Sequence, residues 1–508
     1  MSRGRRWPWR FSSGRRGSLT LNDSRQGQVS SSGEVTLDLS TKLSFSVAAM
    51  ASGTLSMGVA YFSMVYYNAA LGVSATIVGA ALALALVVDA ISDPLVGTWS
   101  DRVRTRWGRR LPFMYAAALP SAILFWVFWN PPVWALASDV MAFWYLFLLT
   151  AAIRLTITLF DVPVMALVPE LTDSYDGRSE LLSYHSNMLF GWTALVSAAM
   201  YGYFLKSTPE YTTGVLNVAG YQEAGLAGAL VVVVAMWACA AGLHKHIPRL
   251  QQHQDAATHT ATHFRDLLKP FRNRSLAALL ASRLISAAVY GTHAALFQYM
   301  ARYFWDLPEH VLFVFSLVAV IGVPVAFWLM PRLFYGREKK HVAILILSVG
   351  LVCDSGPVIL RLFDLMPANG TDALIYTYYG IGIVQNAIGI LSAVAIGSML
   401  AEVVDDHAAR TGDHLAGLIS SSQTFMKKAT SGLGTAIAGW VLAAISFPTK
   451  TDVSEVPAET IFDLGLFYGP LLAVLSLAAI LVLLGYNISR ADHDRNIETI
   501  AAREGQGA

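Results

Sequence analysis

The chain has 508 residues, 55% of them hydrophobic and 14% charged, with a mean hydropathy of +0.50. That is too apolar for a soluble domain of this size, so the composition implies an integral membrane protein embedded in a lipid bilayer. The net charge of +2 says little, since the distribution of charge matters more than its total in such a protein, and no nucleic-acid partner is expected. Cys239 and Cys353 each lie in an apolar segment, where a thiol acts as a small hydrophobe and implies neither a disulfide nor a metal site.

Residues 1–40 are rich in Arg, Ser and Gly and build no apolar core of signal-peptide length, so they read as a disordered basic cytoplasmic tail. Apolar runs of membrane-crossing length follow. Bounded by polar breaks, they predict spans near 43–69, 75–99, 111–130, 139–169, 183–205, 223–243, 275–304, 310–330, 341–360, 373–402, 415–447 and 463–487. The expected architecture is an all-α membrane protein of twelve transmembrane helices in two pseudo-symmetric six-helix bundles. Its divisions are an N-terminal bundle over 41–243, a cytoplasmic linker over 244–274, a C-terminal bundle over 275–488 and a cytoplasmic tail over 489–508. The loops "RWGRR" after span 2 and "FYGREKK" after span 8 match as basic, glycine-containing turns, a weak internal repeat that fits two parallel halves. His244, His246, His253, His259 and His263 fall in the linker at spacings that match no compact ligand set, so they read as solvated.

Basic residues set the orientation. Arg102, Arg104, Arg106, Arg109 and Arg110 follow span 2, a further basic set fills the linker, and Arg332, Arg337, Lys339 and Lys340 follow span 8. All of these are even-numbered connections, while the odd-numbered ones are nearly free of Lys and Arg. By the positive-inside rule both termini are cytoplasmic.

Ionisable groups inside the spans are few, and each costs about 2.5–3.5 kcal/mol near the bilayer centre unless a partner or a wet cavity receives it. They are Asp89 and Asp93, Arg154 and Asp161, Arg283, Asp354, and Lys427 and Lys428. Asp89 and Asp93 are spaced i, i+4, which sets both carboxylates on one helix face with Ser92 beside them. Two acids so placed raise each other's proton affinity or hold a cation between them, and hard oxygen ligands suit a small ion, so the pair implies coupling to H+ or Na+. Asp101 is expected to pair with the arginines of the next loop. On span 4, Arg154, Thr158 and Asp161 form a polar stripe facing a cavity, with Pro163 and Pro169 bending or ending the helix. Span 11 is unusually polar in its first half, with Gln423, Thr424, Lys427 and Lys428, and one of the two lysines is expected to face the cavity acids.

The stretches "DAISDPLVGTWSDRVRTRWGRRLPF", "FDVPVMALVPELTDSYDGRSEL" and "AEVVDDHAARTGDHLAGLISSSQTFMKK" resemble the glycoside-pentoside-hexuronide:cation symporter family of the major facilitator superfamily, over residues 42 to about 490. The resemblance implies a cation site at Asp89, Ser92, Asp93 and Thr158, with Ser92 standing where the family has an asparagine. It implies solute binding by Asp161, with Lys428 a charged cavity residue beside Gln423 and Thr424. Three family sugar contacts are absent: Gly53, Ser186 and Met165 stand in their places. Arg154 is a candidate replacement for the lost arginine.

The resemblance therefore implies a monomeric, cation-coupled symporter in the inner membrane of a bacterium, with Na+ or H+ as coupling ion and no other cofactor. The solute is expected to be a glycoside, a uronide or a related small molecule. An amphipathic lysolipid remains an alternative cargo, and a non-transporting receptor or scaffold an alternative function. No GxSxG, Walker loop or HExxH occurs, so the sequence predicts no enzyme.

Overall fold

The computed structural model describes residues 37–172, 174–209, 211–248, 274–411 and 432–506. Expectations for the basic tail, the central linker histidines His253, His259 and His263, and for Gln423, Thr424, Lys427 and Lys428 lie outside the described residues. The regular elements among the described residues are all helices, with no strand. In chain order the long helices are α1 (Leu39–Phe62), α2 (Ala75–Arg102), α3 (Leu111–Phe128), α4 (Asp139–Leu171), α5 (Tyr175–Ala199) and α6 (Val218–His246) in the first half. The second half supplies α7 (Arg274–Phe304), α8 (Glu309–Phe334), α9 (Lys339–Leu362), α10 (Asp372–Thr411), α11 (Gly432–Ala444), α12 (Ala458–Leu483) and α13 (Arg490–Gln506).

Ten of these are long and apolar enough to cross a membrane, two fewer than the twelve spans the sequence led us to expect. The two exceptions have physical reasons. The first half of α5, "YDGRSELLSYHSN", is too polar, and the described part of α11 is a short apolar helix. The protein is an all-α, multi-span integral membrane protein.

Polar residues at the loop ends start several helices. Asp38 accepts from the Thr41 amide at 3.1 Å and Ser174 from the Gly177 amide at 2.9 Å, while Asn217 accepts from the Gly220 amide at 3.1 Å. Each satisfies one of the amides that a helix start leaves unpaired. At the end of α6 His244 is exposed, whereas His246 Nε2 lies 2.8 Å from Thr41 Oγ1 and Lys245 Nζ donates to Asp38 at 2.8 Å, fastening α6 to the start of α1.

Gly108 and Gly336 give the internal repeat its structural meaning. Both adopt positive φ, 85° and 71°, which a side chain resists, and each turns the chain into the next helix. After the first turn Arg109 Nη2 meets Glu170 at 2.6 Å at the end of α4, and Arg110 Nη2 meets Asp101 at 2.6 Å. After the second, Lys339 meets Glu402, near the end of α10, at 2.9 Å. The expected pairing of Asp101 with the following arginines is present. The buried acid Glu170, between Arg109 and Arg110, gave no signal of its own in the sequence.

Helices of each half pack chiefly on one another, α2 on α4 and α3 on α6 in the first, α7 on α12 and α9 on α10 in the second. Between the halves, hydrogen bonds among the described residues cluster toward the end that carries the α1–α2, α5–α6 and α7–α8 connections. Gln298 donates to the Tyr201 hydroxyl at 2.6 Å, Tyr299 donates to Asn68 Oδ1 at 2.7 Å, and the Lys450 amide donates to the Ala69 carbonyl at 2.8 Å. Beneath them is an aromatic core in which Trp129 stacks on Tyr221, ring centroids 5.5 Å apart, and Tyr66 donates to the Trp129 carbonyl at 2.8 Å.

Candidate functional site

The side-by-side packing of α2 and α4 brings together Asp89, Asp93, Thr158 and Arg154. Asp89 is 1% exposed, Thr158 is equally buried, and Asp93 is half-buried. Thr158 Oγ1 lies 3.0 Å from Asp89 Oδ1 and 2.9 Å from Asp93 Oδ1, bridging the two carboxylates. A hydroxyl carries one proton, so it donates to one carboxylate at a time. Both contacts are satisfied together when the other carboxyl is protonated and donates back, or when a small cation sits among the three oxygens. The same three hard oxygens therefore suit either a proton or Na+.

Arg154 Nη1 donates to Asp89 Oδ2 at 3.3 Å, and its Nε is buried without a partner among the described residues. The guanidinium thus stands on the far side of Asp89 from Thr158 and leaves the Oδ1 edge to the bridge. Ser92 is buried beside the pair, and its hydroxyl donates to the Asp89 carbonyl at 3.1 Å. Pro94 follows Asp93 and has no N–H for the carbonyl four residues before it, which loosens α2 next to the carboxylates.

Asp161, three residues on from Thr158, opens toward α1, where Ser52 donates to its Oδ1 at 2.7 Å. Ser52 was not legible as a site residue, because one serine in an apolar span carries no distinguishing pattern. Met165, one turn further, is 38% exposed. Gly53 faces α5, where an added Cβ would stand 3.2 Å from Trp192 and 3.3 Å from Leu189 and Thr193, so α5 closes that side. Gln423, Thr424 and Lys428 lie outside the described residues.

A multi-span helical protein that sets two acids and an arginine between apolar helices defines a membrane transporter, because such charges are retained where ions or polar solutes pass. The chain belongs to the MFS/sugar transport protein family, which it matches over residues 44–490. It is 22% identical to an uncharacterized symporter of Synechocystis sp., over 92% of this chain and 97% of that one. It is 24% identical to the putative glycoside/cation symporter YagG of Escherichia coli, over 84% and 87%. Its fold superposes on the nucleoside transporter NupG with a TM-score of 0.57, at 13% identity, covering 88% of this chain and all of that one. The protein is a secondary-active transporter of the major facilitator type and not an enzyme.

Proposed function

We propose that this protein is a cation-coupled symporter that carries a glycoside, a uronide or a related polar solute by alternating access. In this reading it is a monomer of the glycoside-pentoside-hexuronide:cation type, with twelve helices in two six-helix bundles. The bundles, 41–243 and 275–488, are joined by a linker over 244–274 in a bacterial inner membrane, with both termini cytoplasmic. Asp89, Asp93 and Thr158 hold the coupling ion, Na+ or H+, with Ser92 supporting the helix beside them. Arg154 balances Asp89 when the ion leaves. Asp161 and Ser52 receive solute hydroxyls, and Gln423, Thr424 and Lys428 are further solute-binding residues in this reading.

The observation that carries this reading is the Thr158 bridge between two carboxylates inside the membrane. With the site empty, Arg154 offsets one of two negative charges. A bound cation neutralises the second, and the loaded site then crosses the bilayer as the halves rock. One elementary charge moving through 100 mV contributes about 2.3 kcal/mol, enough to concentrate a neutral solute more than tenfold. With both termini cytoplasmic, the hydrogen bonds between the halves lie on the extracellular side, as in a transporter closed to the outside.

The test is uptake of a panel of labelled glycosides and uronides into proteoliposomes under an inward Na+ gradient or an inward proton gradient. Accumulation driven by one of the two, and lost in Asp93→Asn, is the expected result. Uptake indifferent to both gradients sinks the coupling reading. Binding of labelled lysolipid without any sugar uptake transfers the cargo to a lipid, and function unaffected by Asp93→Asn favours a receptor or scaffold.

A further inference from the structure

The second half of the chain carries its own acid within a membrane helix, half-buried, with its side chain 36% exposed. Asp354 of α9 accepts from Gln385 Nε2 of α10 at 2.7 Å and faces His293 of α7, whose Nδ1 lies 3.9 Å from its Oδ2. That separation is too long for a hydrogen bond, so the imidazole and the carboxylate face each other without either being consumed. The His293 ring is fixed by stacking on Tyr468 of α12, centroids 4.5 Å apart and planes 21° from parallel, and its Nε2 is buried without a partner among the described residues. A cavity of about 50 Å³ borders the group, lined by Asp354, Gln385, Cys353, Trp305, Tyr378 and Tyr468. It has room for water, which needs a few polar partners and finds them here, and none for a sugar ring.

We propose that His293 and Asp354 form a second proton-binding site, separate from the Asp89–Asp93 pair. No lysine or arginine lines the cavity. The other titratable groups facing the pair are Cys353, Tyr378 and Tyr468, all neutral near pH 7. Arg283 shares α7 but stands ten residues nearer its other end, about 15 Å along the axis. The charge of Asp354 is therefore balanced by one proton shared with His293. Held on the carboxyl or on the ring, that proton makes the pair neutral, and its loss leaves a carboxylate at the cavity with the Gln385 amide as its donor and no cation lining the cavity. The proton arrives from bulk solvent through the cavity water, and the two groups titrate as one unit.

Its placement gives the site a consequence. On α7, Tyr290 lies one turn before His293 and Gln298 and Tyr299 follow it, and all three bond across to the first half: Tyr290 to Tyr61 at 2.8 Å, Gln298 to Tyr201, Tyr299 to Asn68. Protonation of His293–Asp354 thus acts on the helix that holds the halves together. This goes beyond the proposed symport and does not depend on which ion Asp89 and Asp93 take.

The experiment is proton uptake by the purified full-length protein in nanodiscs, titrated from pH 8 to pH 5, with infrared detection of protonated carboxyl. Wild type is expected to take up about one proton more than Asp354→Asn, and Asp93→Asn to retain that difference, whether or not it still transports. His293→Gln is expected to move the midpoint of the Asp354 carboxyl band, since the carboxylate then lacks its partner in sharing the proton. Superimposable titrations of wild type and Asp354→Asn overturn the proposal. Should Asp354→Asn fail to fold, an unchanged midpoint in His293→Gln overturns it equally.

Discussion

Tyr299 of α7 gives its hydroxyl proton to Asn68 Oδ1 of the first half at 2.7 Å, in a fully buried contact that Asn68 completes by donating from Nδ2 to the Val73 carbonyl at 2.8 Å. The bond ties the start of the α1–α2 connection to α7. A neutral hydrogen bond of this kind contributes about 0.5–1.5 kcal/mol, and leaving the Asn68 oxygen buried and unpaired costs more. Tyr299→Phe keeps the ring and its edge contact with Phe447 but removes the bond. We expect the population open at this end to rise roughly three- to tenfold. Distances between spin labels placed on either side of the contact check this, and an unchanged distribution would refute it.

Thr158 offers a cleaner probe of ion binding than either carboxylate. Thr158→Val is close to isosteric and leaves Asp89 and Asp93 in place, but it removes the oxygen that joins them. The loss of one ligand to a charged site corresponds to about 1.5–3 kcal/mol. Affinity for the coupling ion should fall at least tenfold, while solute exchange at saturating ion continues. Thr158→Ser should restore the affinity. The measurement is ion-dependent solute binding, and equal ion affinity in Thr158→Val and wild type would remove the bridge from the mechanism.

Much of this site was legible because helical spacing is local. Asp89 and Asp93 at i, i+4, and Thr158 with Arg154 and Asp161 on one stripe, announce a shared face before any neighbour is known. What spacing cannot state is which face meets which. That Arg154 rests on Asp89 rather than beside Asp161 follows from how α4 leans on α2, and that Ser52 reaches Asp161 follows from α1. His293 was invisible for the same reason, since its partners Asp354 and Gln385 come from helices far along the chain. The helices were legible by apolar length and fell short at α5, whose first half is polar and mostly exposed, and at the short described part of α11.

Arg109 and Glu170 carry a second kind of prediction, about integrity rather than transport. Glu170 is nearly buried and receives Arg109 through Nε and Nη2, at 3.1 and 2.6 Å, with Arg110 Nε at 3.3 Å. Removing one member of a buried ion pair costs about 3–5 kcal/mol, because the remaining charges lose their compensation. Glu170→Gln keeps the shape and removes the charge, leaving two arginines to share Asp101. The thermal midpoint in detergent should drop by several degrees. Glu402→Gln, at the matching place against Lys339, should cost less because that lysine is more exposed. Equal midpoints for wild type and Glu170→Gln would show that the cluster does not stabilise the turn.

The clasp between α1 and α6 sets an expectation for pH. Asp38 lies outside the membrane helices, and hydrogen bonds from Lys245 and from Thr41 hold its carboxyl down at about 2. A carboxyl lowered on folding contributes stability that is fully present above its unfolded value, near 3.9, and that is lost as pH falls through the folded value. The clasp is therefore intact from pH 8 down to about pH 5. Any change of transport across that range must arise elsewhere, in the buried carboxylates or at His293. The pair is exposed, so salt screens it and its loss should be small. Asp38→Asn is expected to leave the pH profile of uptake unchanged in shape between pH 5 and pH 8. A profile that shifts in this variant would place a transport-linked proton at the clasp instead of within the helices.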